Sequence, residues 1–124
     1  MQKILLVEDH VPFRESLRDV LQAHFPGVEI AEAGDGPGTF RQMDNPSPDV
    51  VVMDIRLPGE NGLILTKRIK EQYPYVAVFI LTNYDTPEYR EAAQVYKADR
   101  YFLKDTLGTQ LVAAIESRLS EARA

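Results

Sequence analysis

The chain has 124 residues, with 19 acidic and 14 basic side chains, a net charge of −5 and no cysteine. That length fits one domain spanning residues 1–124; the lack of cysteine excludes disulfides, thiolate metal sites and thiol catalysis, and the acidic balance argues against direct nucleic-acid binding. No apolar run approaches the roughly 18 residues of a membrane span, and no basic segment precedes an apolar one at the N-terminus, so a soluble, cytoplasmic domain without a membrane partner is expected.

Lys3-Ile4-Leu5-Leu6-Val7 is an apolar run of strand length that ends in Glu8-Asp9. Pro12 suits the first turn of a helix. Phe13, Leu17, Val20, Leu21 and His24 then recur at helical spacing until Pro26-Gly27 stops the pattern. His10 reads as a solvated residue at the helix entry. Val28-Glu29-Ile30-Ala31-Glu32-Ala33 largely alternates apolar and polar, as a more exposed strand does. Gly34-Asp35-Gly36-Pro37-Gly38 reads as a turn opening a short helix, roughly Gly38 to Met43. Its glycine spacing matches neither a dinucleotide fingerprint nor a Walker loop.

Val50-Val51-Val52-Met53 is apolar and mostly β-branched, as suits a strand buried on both faces. It places Asp54 at its carboxyl end, before the loop Leu57-Pro58-Gly59-Glu60-Asn61-Gly62. Asn61 is a natural helix cap. Leu65 and Ile69 mark the buried side of the next helix, which Tyr73-Pro74 ends. Val76 to Leu81 is another fully apolar strand, leading into Thr82-Asn83. Thr86 and Pro87 cap and open a helix to about Tyr96. Its apolar face is thin: Tyr89, Ala92, Ala93 and Tyr96. Arg100-Tyr101-Phe102-Leu103 is the last strand, ending in Lys104. Thr106 is expected to cap a final helix carrying Leu107, Leu111, Ile115 and Leu119.

Five strands alternating with five helices imply an α/β fold, a doubly wound parallel sheet with helices on both faces. In such sheets the site lies beyond the carboxyl ends of the strands. Those ends carry Glu8, Asp9, Asp54, Thr82 and Lys104. Two carboxylates about 4 Å apart repel by about 4 kcal/mol at an effective dielectric near 20. Either one of them keeps a proton or a cation sits among them. Oxygen-only ligands with room for water suit magnesium better than zinc. With Lys104 alongside, such a site accommodates a phosphoryl group. Asp54 is the carboxylate best placed as nucleophile, and Thr82 can donate to a phosphoryl oxygen.

The sequence resembles the receiver domains of two-component response regulators, the CheY-like superfamily, over essentially its whole length. The matching motifs are Val7-Glu8-Asp9, Met53-Asp54-Ile55-Arg56-Leu57-Pro58-Gly59 with Asn61-Gly62, Leu81-Thr82-Asn83 and Tyr101-Phe102-Leu103-Lys104-Asp105. The resemblance implies a flavodoxin-like strand order 2-1-3-4-5. It implies that Asp54 accepts a phosphoryl group from a sensor histidine kinase or a phosphotransfer protein. Magnesium would be held by Asp9, Asp54 and the backbone carbonyl of Arg56, with Glu8 helping. Lys104 would pair with the acylphosphate, Thr82 would move to bond it, and Tyr101 would reorient in response. The output would be a shift of the face made by the fourth helix, fifth strand and fifth helix, docking a second copy or an output protein. Such a chain modifies itself and turns over no external substrate.

Asp105 stands where most receivers carry proline, a variant seen in receivers that precede a helix-turn-helix DNA-binding domain. Two alternatives follow: the receiver part of a longer DNA-binding regulator, or a receiver-shaped interaction module that phosphorylation does not regulate. The complete acidic set and Lys104 argue against the second. A phosphatase would want an acid where Arg56 stands. A flavin carrier would want a phosphate loop where Glu8-Asp9 stand. Asn83, Arg56 and Tyr84 are bulky neighbours of Thr82 and Asp54, and are expected to slow loss of the phosphoryl group.

Overall fold

A computed structural model describes residues 2–106 and 109–123. Its main sheet has five parallel strands: β1 (Lys3–Val7), β2 (Glu29–Ala33), β3 (Val50–Met53), β4 (Ala77–Thr82) and β5 (Arg100–Leu103). Their spatial order is β2-β1-β3-β4-β5. The helices are α1 (Val11–His24), α2 (Gly36–Arg41), α3 (Gly62–Gln72), α4 (Pro87–Val95) and α5 (Thr109–Arg123). This is the doubly wound α/β arrangement that the alternation of elements implies.

The unbroken apolar strands are explained by what covers them. Ile4, Leu6, Val50, Val52, Phe79 and Leu81 face one core with Leu17 and Leu21 of α1 and Leu111, Ile115 and Leu119 of α5. Leu5, Val7, Val51, Met53, Val78 and Ile80 alternate to the other face, against Leu65 and Ile69 of α3 and Ala93 of α4. A strand buried on both faces reads as a near-continuous apolar run, with Lys3 and Thr82 as polar residues only at the ends of β1 and β4. The register sets Val7 opposite Met53 and Met53 opposite Ile80. The first and third strands therefore end level with one another, and the fourth runs two residues further, to Thr82.

Several boundaries differ from the sequence expectation. α2 starts at Gly36, two residues before Gly38, because the Asp35 carboxylate caps it by accepting from the Gly38 N–H at 2.7 Å. Val20 is exposed, since the core stripe of α1 runs Phe13, Leu17, Leu21. The loop after Asp54 holds a two-residue antiparallel ladder between Arg56–Leu57 and Glu60–Asn61. Lys3 is buried and donates to the Gln42 and Pro46 carbonyls at 2.6 and 3.0 Å. A 3-10 turn spans Lys104–Thr106 before α5. Leu107 and the Thr106 side chain, expected at the start of α5, lie outside the described residues. No helix among those residues is long and apolar enough to cross a membrane.

Gly62 opens α3 directly against the backbone of Asp54. Its N–H donates to the Ile55 carbonyl at 2.6 Å, and a Cβ there would overlap the Asp54 carbonyl. Backbone on both sides leaves little room to relax, so Gly62→Ala is expected to destabilise the protein by about 2 kcal/mol. A urea midpoint unchanged from the parent would show that α3 shifts freely.

Candidate functional site

The site forms where β1, β3 and β5 end. The Asp54 N–H donates to the Val7 carbonyl at 3.0 Å, and the Glu8 N–H to the Ala33 carbonyl at 3.0 Å. These bonds extend the parallel ladders one residue past the strands and fix both acids at the sheet's edge. Glu8 and Asp54 are buried, whereas Asp9 is exposed. Carboxylate oxygens of the three lie within 4.8 Å of one another. Lys104 reaches in from the end of β5. Its ammonium donates to Glu8 Oε1 at 2.5 Å and to Asp54 Oδ2 at 3.2 Å.

The remaining acceptors are held by backbone. Asp54 Oδ1 accepts from the Ile55 N–H at 2.8 Å, and Glu8 Oε2 accepts from the His10 N–H at 3.0 Å. Arg14 Nη1 ties down the Glu8 carbonyl at 2.8 Å. His10 itself is exposed, as its position at the helix entry suggests.

One ammonium cannot neutralise two buried carboxylates, and it favours the nearer. Burial pushes Glu8 up, but the hydrogen bonds from Lys104 and His10 outweigh that and hold its carboxyl below the ordinary range. Asp54 bears the cost. Burial and then the Glu8 charge push it from 3.8 up to about 6, against the weaker pull of Lys104. Burial alone would lower Lys104, yet its two carboxylate partners raise it above an ordinary lysine. The ammonium is therefore a fixed charge at neutral pH.

A cavity of about 660 Å³ opens above these groups, lined by Asp9, Asp54, Arg56, Tyr84 and Lys104 among others. The Arg56 guanidinium lies 3.8 Å above the Tyr84 ring, so the two form one wall. Thr82 is buried beneath the cavity, not in its lining. Its Oγ1 accepts from the Tyr84 N–H at 3.2 Å. Tyr101 is half-buried, and its hydroxyl donates to the Tyr84 carbonyl at 2.5 Å. Of the seven residues singled out from sequence, Glu8, Asp9, Asp54, Arg56 and Lys104 converge on the cavity. Thr82 and Tyr101 meet instead at the backbone of Tyr84, one layer away. Phe13, which sequence reasoning took only as part of the α1 stripe, also lines the cavity.

The donor set fits a hard divalent cation. It is all oxygen, and Asp9 leaves one side open to water. A cation there would also supply the charge that Asp54 lacks.

The model of the response regulator receiver domain matches residues 4–116. The oxygen regulatory protein NreC of Staphylococcus haemolyticus is 34% identical over 116 residues, which is 93% of this chain and 54% of that protein. The chain thus spans about half the length of the curated relatives it matches, and those relatives are regulators. A two-component response regulator of the LuxR family from Aurantimonas superposes with a TM-score of 0.86 at 32% identity, covering 96% of this chain and 85% of that one. The response regulator TrrA of Thermotoga maritima, solved in complex with Mg(2+)-BeF, superposes with a TM-score of 0.83 at 29% identity over 95% of this chain and 99% of its own. The acidic strand ends, the facing lysine and these matches agree, and the chain belongs to the response regulator receiver domain family.

Proposed function

We propose that this chain is a single receiver domain in which Asp54 is the phosphoacceptor of a two-component system. The observation that carries this reading is the Lys104 ammonium bridging Glu8 and Asp54 beside the open Asp9 carboxylate. The donor is a phosphohistidine on a sensor kinase or phosphotransfer protein. An Asp54 oxygen attacks phosphorus, the new O–P bond forms, and the P–N bond breaks. The imidazole nitrogen leaves with the electron pair and takes a proton.

Asp9, Asp54 and the Arg56 backbone carbonyl, with Glu8, would hold magnesium. When bound, the ion supplies positive charge for the phosphoryl oxygens. Lys104 then pairs with the acylphosphate, being already fixed at Asp54. Thr82 moves to donate to a phosphoryl oxygen. Its hydroxyl and that of Tyr101 both bind the backbone of Tyr84, so one cannot leave without disturbing the other. Tyr101 lies on β5 beside α4, whose one fully buried residue is Ala93. So light an anchor suits an element that shifts on signalling. The α4-β5-α5 face is the surface offered to a second copy or an output protein.

Incubation with magnesium and acetyl phosphate is expected to give a base-labile adduct of one phosphoryl group, absent from Asp54→Asn. An undiminished adduct in that variant would sink the assignment. The Arg56–Tyr84 pair walls the cavity that Asp54 also lines, which supports slow hydrolysis of the adduct. Arg56→Ala and Tyr84→Ala are each expected to lose the phosphoryl group several-fold faster, followed by mass after removing the donor. Decay no faster than the parent's would count against that role.

A second reading places this domain in a longer DNA-binding regulator. It is supported by the superposition on a structure described as a DNA-binding response regulator of the LuxR family from Staphylococcus aureus, and by the half-length span of the curated relatives.

A further inference from the structure

The Lys104 ammonium has three protons, and two carboxylate oxygens take two of them. On another side stands the ring of Phe13, whose centroid is 4.5 Å from Nζ. Phe13 lies in the first turns of α1 and packs partly against the core that holds Leu17 and Leu81. Between its ring and Asp54 is a gap of about 10 Å³. That is at or below the roughly 10–15 Å³ that a water molecule needs. The ring face is turned to the cation, and no room for bulk water is left between the ring and Asp54.

We propose that Phe13 is a positioning residue for the chemistry of Asp54: its ring face holds the Lys104 ammonium over the carboxylates without competing for its protons. The inference rests on Asp54 being the phosphoacceptor. Helical periodicity accounts for the inner edge of Phe13, which continues the Leu17 and Leu21 stripe. It does not account for a ring face turned to a cation. A water or a third carboxylate in that place would accept a hydrogen bond and tie the ammonium down. An alkyl side chain would offer it nothing, and a lysine head so little hydrated turns outward to solvent. An aromatic face attracts the cation through its quadrupole yet has no lone pair in the ring plane to bind a proton. The ammonium is held in place, while a proton stays free to turn toward an arriving phosphoryl oxygen.

The test compares initial rates of adduct formation from acetyl phosphate and magnesium, with melting temperatures measured alongside. Phe13→Leu keeps the apolar stripe and loses the quadrupole; its rate is expected to fall about three- to tenfold with little change in melting. Phe13→Trp should keep the rate. Replacement of Phe13 by mono-, di- and trifluorophenylalanine keeps the ring and drains its face of charge, so the rate should fall stepwise. An unchanged rate across Phe13→Leu and the fluorinated series overturns the proposal, as does a rate that merely follows melting temperature. A parent protein that forms no adduct overturns the phosphoacceptor reading and this inference with it, whereas an adduct indifferent to the ring leaves that reading standing.

Discussion

Asp54→Asn is expected to be more stable than the parent by roughly 3 kcal/mol at pH 8 in the absence of divalent cations. A carboxyl moved from 3.8 up to about 6 by burial and the Glu8 charge destabilises the folded state by about 1.4 kcal/mol per tenfold change in proton affinity. The sign follows from proton binding. Between pH 3.8 and about 6 the folded protein holds a proton on Asp54 that the unfolded chain has released. Stability then falls as pH rises through that window, and the penalty is complete above it. Asparagine escapes it. The Glu8–Lys104 pair is present in both proteins, so its own pH dependence largely cancels in the difference. Urea unfolding at pH 8 and pH 4 should show a large gap that shrinks on acidification. Equal stabilities at pH 8 would mean that Lys104 already compensates both acids.

Magnesium is expected to relieve the same repulsion from the other side. A ligand that binds only the folded protein stabilises it by about 2.7 kcal/mol at a hundredfold excess over its dissociation constant. Asp9 is the open carboxylate of the cluster, and Asp9→Asn should lose most of that gain. Asp54→Asn should lose part of it as well, having less charge to offset. Below pH 6 protons compete for Asp54, so the gain should shrink. Thermal melts with magnesium and with chelator measure this directly. A melting curve indifferent to magnesium, or one raised equally in Asp9→Asn, speaks against the cluster as the binding site.

The two effects describe one property. Asp54 sits at the end of a strand buried on both faces, so water cannot solvate it well. Lys104 is closer to Glu8 and does not neutralise it. The folded protein tolerates a poorly compensated carboxylate that a cation, and then a phosphoryl group held by Lys104, would complete. Strain of this kind is what a switch needs: a local electrostatic imbalance that a ligand resolves.

The strand ends were legible in the sequence because burial on both faces leaves runs such as Val50 to Met53 with no polar member. The first residue that breaks such a run is then at the rim. Asp54 and Glu8 follow from that alone, without knowledge of side-chain direction. Phe13 was not legible as part of the site. Its spacing with Leu17 and Leu21 is satisfied by core packing, and only coordinates show its ring face turned to Lys104. Val20 fitted the same periodicity and proved exposed. A helix stripe wider than the groove it fills leaves its margins in solvent, and periodicity does not rank its members. Lys3 likewise opens an apolar run without revealing that loop carbonyls from Gln42 and Pro46 close over its head. That contact lies about forty residues away in sequence, and no local pattern encodes it.

The start of α2 was missed for a different reason. Gly34 to Gly38 looks like a turn throughout, but proline at the first helical turn and an Asp35 cap start the helix inside it. The position of Thr82 was correct, while its hydroxyl faces the backbone of Tyr84 and not the cavity.

The central claim is tested most directly by chemical mapping of the adduct. Borohydride reduces an aspartyl phosphate to homoserine, expelling phosphate and marking the residue that carried it. Protein treated with magnesium and acetyl phosphate, reduced and analysed by peptide sequencing in a mass spectrometer, is expected to carry homoserine at position 54 alone, and only when magnesium is present. Homoserine at position 9, hydroxynorvaline (the corresponding product from glutamate) at position 8, or no homoserine at 54 under conditions where the folded protein binds magnesium, would contradict the account.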